Sequence, residues 1–382
     1  MRVSKLAKVA SIALAFGLVA TTPAHAANLQ GSGASFTALL IEACKAPFAA
    51  ATSHTFTYAA SGSGAGRSNS DKGVGDFWFT DAPHTASSKR ASIIHVPAVA
   101  APIAILHNVP NSKTLQFSAE TIAKIFAGEI TMWNDPQIVE DNNRTTTKVI
   151  YAKNGDGSLK KNKAGDPIVL RTQTVTSKVI LPAKKIQVVY RSDNSGTSDN
   201  FTNFLNKSAP SVWTKPKSGT FKDSFPGNIN DVANLGRIVG AASSSGVAQQ
   251  AGKTPYSITY AEVSYAKANK LKVANVINAA GASVAPDSTG VSAFLAQATQ
   301  DANGFLTFDY KTTEKGAYPL GIVSYLLADT KYDDKATGAA VKEFAQFILS
   351  PKCARDAGEA LGFSVIDGDF LKKAQAQVAK IG

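Results

Sequence analysis

The chain has 382 residues, of which 40 are Lys or Arg and 28 are Asp or Glu, so its formal net charge is +12 at pH 7. Its two cysteines are too few for a disulfide scaffold, and the sequence has no CxxC pair or Cys/His cluster of the kind that binds zinc. A basic excess often indicates nucleic-acid binding. Here the lysines are dispersed or lie in one segment, which favours a weak attraction for small anions or a merely solvated basic surface.

The first 26 residues have the pattern of a secretory signal peptide. Three cations, Arg2, Lys5 and Lys8, precede an apolar run over residues 9–20, and an A-x-A cleavage site follows at 24–26. That run is too short to cross a bilayer, and no later segment reaches the ~18 to 20 apolar residues required. Because the first cysteine is Cys44, no lipid anchor is expected at the cleavage site. We therefore expect a soluble, exported chain that begins near Ala27.

Strand-like and helix-like patterns alternate along the remaining chain. Runs typical of strands lie at 54–59, 95–107, 186–191, 257–260 and 321–326, and patterns with helical spacing lie at 36–48, 118–128, 199–205 and 341–348. Pro47 is expected to kink or shorten the first of these helices. This alternation predicts an α/β fold with helices on both faces of a sheet. The length of the mature chain suggests two domains.

Three short segments share one design, in which a strand runs into a hydroxyl-rich turn that opens a helix. They lie at 31–36 (GSGASF), 61–66 (SGSGAG) and 192–198 (SDNSGTS). Glycine lets the backbone approach a ligand, and the N–H groups and positive dipole end of a helix favour an anion. Taken alone, each turn is weak evidence, because Ser, Thr and Gly at a helix start are usually ordinary caps. Together they predict a site for a tetrahedral oxyanion that needs no metal or other cofactor.

The segment from residue 141 to residue 185 differs from the rest of the chain. It contains polar, strand-like runs and many lysines, and it is broken by turn sequences at 154–157 (NGDG) and 164–167 (AGDP). We interpret it as a β-rich basic insertion on one domain.

An ordered series of motifs resembles the PstS family, the phosphate-binding components of Pst-type phosphate importers. The motifs are GxGASF at 31–36, GSGxG at 62–66, DFxxxDAP at 76–83, FAGxIxxWND at 126–135 and RxDxSGTS at 191–198. The similarity continues at 245–248, 258–262 and 361–363 and covers nearly the whole mature chain apart from the basic insertion. The sequence departs from the family pattern at Thr37, where proline is common, and at Asn194, where glycine is common.

The resemblance implies the residues of a phosphate site. They are Ser35, the backbone N–H of Phe36, Ser63 and Asp81 from one lobe, and Arg191, Ser195, Gly196 and Thr197 from the other, with Asp193 orienting Arg191. It also implies the type II periplasmic-binding-protein fold, with two α/β lobes, a two-segment hinge and the ligand in the cleft between the lobes. Residues 27–104 and 285–382 would form one lobe and residues 105–284 the other. The hinge would lie at 103–107 and 279–287.

Composition alone leaves open whether the two cysteines form a disulfide or remain buried free thiols. The resemblance assigns the helical segments around Cys44 and Cys353 to the same lobe, in an exported chain. We therefore predict a bond between them.

The function implied by the resemblance is capture of inorganic phosphate outside the cytoplasm for an inner-membrane ABC permease and its ATPase, by a monomer that is not an enzyme and does not bind nucleic acid. Asp81 would accept the proton that phosphate carries and fully ionised sulfate lacks. Asp81 as a simple helix cap is the alternative role. The alternative functions are a secreted phosphatase like those reported among DING proteins, and a receptor for another tetrahedral oxyanion.

Overall fold

The computed structural model describes residues 26–176 and 178–382, so the predicted signal peptide, apart from Ala26, lies outside the described residues. The strands are β1 (Asn28–Gly33), β2 (Thr55–Ala59), β3 (Phe77–Thr80), β4 (Ile93–His107), β5 (Gln116–Ser118), β6 (Thr145–Tyr151), β7 (Val169–Thr176), β8 (Gln187–Arg191), β9 (Ile238–Ala241), β10 (Ser257–Glu262), β11 (Lys272–Ile277), β12 (Ser283–Val284), β13 (Thr299–Gln300), β14 (Leu306–Thr307) and β15 (Gly321–Asp329).

Helices connect most of these strands. They are α1 (Ala38–Thr52), α2 (Ser63–Lys72), α3 (Ala119–Phe126), α4 (Pro136–Asn142), α5 (Gly196–Ser208), α6 (Phe221–Ser224), α7 (Ser243–Lys253), α8 (Tyr265–Ala268), α9 (Ser288–Leu295), α10 (Lys335–Ile348) and α11 (Gly368–Val378). The predicted α/β class is confirmed. α1 continues for five residues beyond Pro47, so the proline does not end the helix as the sequence suggested it could.

One long strand joins two halves of the sheet. β4 pairs antiparallel with β15 through Pro102 and with β10 from Ile103 onward. On one side the order is β2-β1-β3-β15-β4, and on the other it continues β4-β10-β8-β9, while β11 also pairs with the end of β4. We call the first half, with α1, α2 and α9 to α11, lobe 1, and the second half, with α3 to α8, lobe 2.

The change of partner on β4 falls close to the expected lobe boundary at residue 104. β12, which ends at Val284, still pairs with β11 of lobe 2, and α9 packs on β4 and β15 of lobe 1. β4 is apolar over nearly its whole length and buried on both faces, as expected for a strand covered by helices. That the two halves move as separate bodies remains a prediction.

A disulfide joins the two cysteines within lobe 1. Cys44 in α1 and Cys353 in the turn after α10 are both fully buried, with their Cα atoms 5.4 Å apart. The bond links segments separated by 309 residues in sequence, so it ties the first helix of the chain to the C-terminal helices.

The basic insertion forms an antiparallel hairpin, which we call the arm (residues 145–176). β6 and β7 pair from Thr145 and Thr176 at the base to Tyr151 and Val169. At the base, the backbone N–H of Val179 donates to the side-chain oxygen of Asn143 (3.0 Å). This bond joins the two chain segments that connect the arm to lobe 2. The arm then reaches lobe 1, a contact that the sequence did not predict.

Candidate functional site

Four helix N-termini from the two lobes meet at one place. α1 and α2 belong to lobe 1, and α5 and α7 belong to lobe 2. The N–H of Ser244 in α7 donates to Oγ of Ser35, just before α1 (2.9 Å), and the Thr197 hydroxyl in α5 donates to the carboxylate of Asp81 (3.1 Å). Helix starts present free N–H groups and positive dipole ends, so their convergence favours an anion.

Asp81 lies at the centre of this cluster. It follows β3 directly and is 2% exposed. Its Oδ1 accepts a hydrogen bond from Ser324 (2.9 Å), and its Oδ2 accepts bonds from Thr197 (3.1 Å) and Ser63 (3.4 Å). Ser63 opens α2, so three separate elements direct hydroxyl groups at one carboxylate. Asp81 therefore does not act as a simple cap of its own segment.

The environment of Asp81 makes it a proton acceptor. Burial raises the pKa of Asp81, although the hydrogen bond from Ser324 and the positive charge of Arg191 oppose the increase. A buried carboxylate repels a fully ionised anion, whereas it accepts a hydrogen bond from an anion that carries a proton. The residue can thus distinguish between oxyanions by their protonation.

Arg191 supplies the positive charge of the site. It ends β8, and its side chain is 1% exposed. Its Nε and Nη2 donate to the two oxygens of Asp193 (2.7 and 2.5 Å), and its Nη1 donates to Oγ of Ser244 (3.1 Å). Burial opposes ionisation of Asp193, but the bonds and charge of Arg191 hold the pKa of Asp193 below its usual value. The paired bonds fix the plane of the guanidinium.

The turn at 195–197 lies against lobe 1. A Cβ atom at Gly196 would come within 2.7 Å of both Cβ of Asp81 and Oγ of Ser63, so no other residue fits there without a shift. Ser195 is the N-cap of α5, and its hydroxyl accepts from the N–H of Ser198 (3.2 Å). The hydroxyl of Ser195 therefore acts as a helix cap in this conformation.

The remaining predicted residues lie in the turn before α1. Ser35 is 2% exposed, and its Oγ donates to Oγ of Ser244 (3.2 Å). Phe36 follows it, fully buried, with its ring edge-on to Phe363. The structure therefore brings together, from both lobes, all the residues that the sequence suggested for the site. Their role in binding a ligand remains a proposal.

Two further residues belong to the site but were not predicted. Ser244 bridges Arg191 and Ser35, and Ser324 in β15 donates to Asp81. Ser244 had a sequence signal, because β9 runs into the serine-rich start of α7 in the same way as the three predicted turns. Ser324 had none, since it is one serine in the middle of a buried apolar strand.

Asn194, one of the two departures from the family pattern, makes a contact across the cleft. Its Oδ1 accepts from Nη2 of Arg67 in α2 (2.8 Å), and its carbonyl oxygen accepts from the N–H of Gly64 (3.0 Å). Nη1 of Arg67 donates to Thr80 next to Asp81 (2.9 Å). The side chain at 194 thus adds a bond between the lobes that a glycine could not make.

A cavity adjoins the site at the seam between the lobes. It has a volume of about 390 Å³ and reaches Asp81. Lys207, Lys217 and Lys311 line it, together with Asp199 and Asp309, so charges of both signs surround it. In the described part of the chain no group of three or more His, Cys, Asp or Glu side chains is arranged to hold a metal ion.

Known proteins with a similar sequence or fold show which class of protein this chain belongs to. The chain matches the PBP superfamily domain over residues 18–352. In a solved structure, the phosphate-binding protein of Stenotrophomonas maltophilia is similar in fold, with a TM-score of 0.62 and 18% identity over 91% of this chain and 93% of that one. The chain is a periplasmic-binding-protein-like α/β protein, and the predicted type II fold is confirmed.

Curated relatives narrow the class to a family. The chain is 32% identical over 314 residues to "Phosphate-binding protein PstS 2" of Mycobacterium tuberculosis, which covers 78% of this chain and 72% of that protein. It is 28% identical over 334 residues to "Phosphate-binding protein PstS" of Xylella fastidiosa, covering 85% and 79%. The chain belongs to the PstS family, as the motifs predicted.

Proposed function

We propose that this protein binds inorganic phosphate outside the cytoplasm and delivers it to an ABC importer. Its relatives carry the name of phosphate-binding proteins, and the family assignment rests on most of the chain. No helix in residues 26–176 and 178–382 is long and apolar enough to cross a membrane. The permease and ATPase that would receive the phosphate are part of the proposal.

The observation that carries the proposal is the combination of buried Asp81 with buried Arg191 among four helix starts. Arg191, Ser35, Ser63 and the N–H groups of the helix starts would supply donors to the oxygen atoms of the anion. Asp81 would accept a hydrogen bond from a proton that phosphate retains at neutral pH. A site built to bond a ligand hydroxyl rejects an analogue that lacks it by roughly 10⁴-fold, since the buried acceptor then has no partner.

The position of the site between the lobes supports a capture-and-release cycle. Side chains of lobe 1 and lobe 2 contact each other directly through Asp81 and Thr197, and through Arg67 and Asn194. Phosphate would therefore be reached by opening the lobes and enclosed by closing them. The closed shape would be the one that the importer recognises.

Hydrolysis of phosphate esters is not part of the proposal. In the described residues, the hydroxyl groups of Ser35 and Ser63 bond to Ser244 and Asp81, and no histidine bonds to them. A serine nucleophile needs an adjacent base and an acid for the leaving group. The Asp81 carboxylate lies beside Ser63, but these contacts supply no acid for the leaving group.

The test is a calorimetric titration of ligand-free mature protein with phosphate, sulfate and phenyl phosphate, with an assay for phenol after each run. We expect tight binding of phosphate, no binding of sulfate and no phenol. Equal affinity for sulfate would overturn phosphate selectivity. Release of phenol that tracks the protein through purification, and that is lost in a Ser63→Ala variant, would show a phosphatase instead.

A further inference from the structure

The arm and the residues that flank it (141–185) combine an excess of positive charge with exposed large apolar side chains. Residues 141–185 contain ten Lys or Arg and three Asp, a net charge of +7 within a chain of net charge +12. Large apolar side chains are also exposed here. Of the eight exposed ones among the described residues, five lie between residues 168 and 180, namely Ile168, Val169, Leu170, Val175 and Ile180. Scattered single apolar residues are normal on a surface, but a cluster of this kind marks an interaction site.

The arm is fixed by its inner side, so its outer side is presented in one position. The Tyr151 hydroxyl donates to the carboxylate of Glu314, and its ring lies directly on Gly316, where a Cβ atom would come within 2.0 Å of the tyrosine hydroxyl. Leu159 near the tip is buried against Ala293 in α9. Lys161 donates to Asp367 (3.0 Å). A surface already ordered in this way loses little conformational entropy when it binds a partner.

The outer strand of the arm has no cover. Within the described residues β7 pairs with β6 alone, and all eight of its residues are exposed. Because successive side chains of a strand point to opposite faces, both faces of β7 are open. Natural proteins usually protect such an edge, since its free N–H and C=O groups attract other molecules.

The cations of the arm are available to a partner. Lys148, Lys160, Lys163 and Arg171 are all exposed. Among the described residues, none of these four lies within 4 Å of a carboxylate, in contrast to Lys161, which is paired with Asp367. Four cations without an acidic neighbour, beside exposed Val169 and Leu170, favour a partner that is both anionic and able to take up apolar side chains.

We propose that the outer edge of the arm docks on an anionic lipid bilayer. Basic residues are attracted to the negative surface, and apolar side chains next to them enter the boundary between headgroups and acyl chains. A folded acidic protein would cover one face of β7, whereas headgroups can surround both. Docking would hold the protein beside the membrane, and the argument for it does not depend on phosphate binding.

Vesicle sedimentation of the full mature chain tests the proposal. Vesicles of phosphatidylcholine with phosphatidylglycerol are compared with vesicles of phosphatidylcholine alone, at low and high salt. We expect binding to the anionic vesicles only, weakened by salt. Each cation near such a surface contributes a factor of roughly five, so the combined Lys148→Gln, Lys160→Gln, Lys163→Gln and Arg171→Gln variant should bind roughly 600-fold more weakly.

A matched variant separates the arm from net charge. It carries four changes at exposed lysines elsewhere, Lys222→Gln, Lys253→Gln, Lys267→Gln and Lys331→Gln, and it should bind nearly as well as the parent. A Val169→Thr, Leu170→Thr variant should lose the part of the binding that survives high salt. Phosphate titration and thermal unfolding of each variant show whether it is folded.

Two results would overturn the proposal. They are no binding of the parent to anionic vesicles, and equal loss of binding in the arm variant and the matched variant. If anionic vesicles do not bind the parent and immobilised polyglutamate retains it, the surface belongs to an acidic polypeptide. A protein that docks on vesicles but does not bind phosphate would contradict the proposed function alone.

Discussion

Thr197 donates a hydrogen bond of 3.1 Å to Oδ2 of Asp81, and this bond joins the first turn of α5 in lobe 2 to the end of β3 in lobe 1. The same carboxylate accepts bonds from Ser63 and Ser324 of its own lobe. Asp81 is therefore surrounded by donors from both lobes, and if the lobes move apart as we predict, the bond from Thr197 is lost. In the proposed function, recognition of the anion and closure of the cleft would depend on the same residue.

The contact between Asn194 and Arg67 should strengthen closure. Asn194→Gly removes the acceptor for Nη2 of Arg67 and introduces the residue that is common in the family at this position. One such hydrogen bond contributes about 0.5 to 1.5 kcal/mol, so phosphate should dissociate roughly 2- to 12-fold faster. Stopped-flow release measures the rate, with Asn111→Gly in an exposed loop as the control. An unchanged dissociation rate would show that the bond does not contribute to closure.

The role of Arg191 depends on its planar guanidinium. Lysine keeps the charge but cannot make the paired bonds to Asp193 together with the bond to Ser244. Removing a charge-assisted bond costs about 1.5 to 3 kcal/mol, so Arg191→Lys should raise the Kd for phosphate by roughly 10- to 150-fold. The exposed Arg171→Lys on the arm is the matched control. If both variants bind like the parent in calorimetry, Arg191 does not contact the ligand.

The disulfide should stabilise lobe 1 without contributing to the site. It closes a loop of 309 residues between Cys44 and Cys353, and removing a native disulfide from an exported protein typically costs about 2 to 5 kcal/mol. A Cys44→Ala, Cys353→Ala variant should therefore unfold at lower denaturant concentration and still bind phosphate. Equal unfolding midpoints for the variant and the parent would contradict this expectation.

Glu262 should make stability depend on pH. It ends β10 fully buried, and burial raises its pKa from 4.5 to about 8, although hydrogen bonds from Ser264 oppose the increase. Between these two values the folded protein holds a proton that the unfolded chain has lost. The free energy of unfolding should therefore fall as the pH rises through this window, by up to about 1.4 kcal/mol per pH unit for one proton. Stability from this group is complete below the window and lost above it.

Denaturant unfolding of the parent and of Glu262→Gln across this pH range isolates the contribution, because the other titrating groups are common to both. The difference in unfolding free energy between variant and parent should grow in favour of the variant as the pH rises. A difference that is constant from pH 5 to pH 8 would show that Glu262 is already ionised in the folded protein.

Local patterns predicted several of the main strands and helices, and the resemblance to the PstS family implied the residues of the candidate site. Hydroxyl-rich turns after strands identified Ser63 and Thr197, because a helix start needs such residues and an anion site uses the same groups. Ser324 was not predicted, since its role depends on where β15 lies beside β3, a relationship between residues far apart in sequence. The arm was recognised as a β-rich insertion, but its contact with Glu314 and Asp367 is tertiary and leaves no local pattern.

The central claim is that Asp81 recognises the proton of phosphate. Asp81→Asn removes the charge that repels a fully ionised anion and replaces one acceptor oxygen with an amide that can donate. The most direct test is a calorimetric titration of parent and variant with sulfate and phosphate at neutral pH, with Asp309→Asn at the neighbouring cavity as the control. We predict that Asp81→Asn binds sulfate and retains phosphate binding, while the parent and the control bind phosphate alone. A variant that binds phosphate and still excludes sulfate would contradict the account.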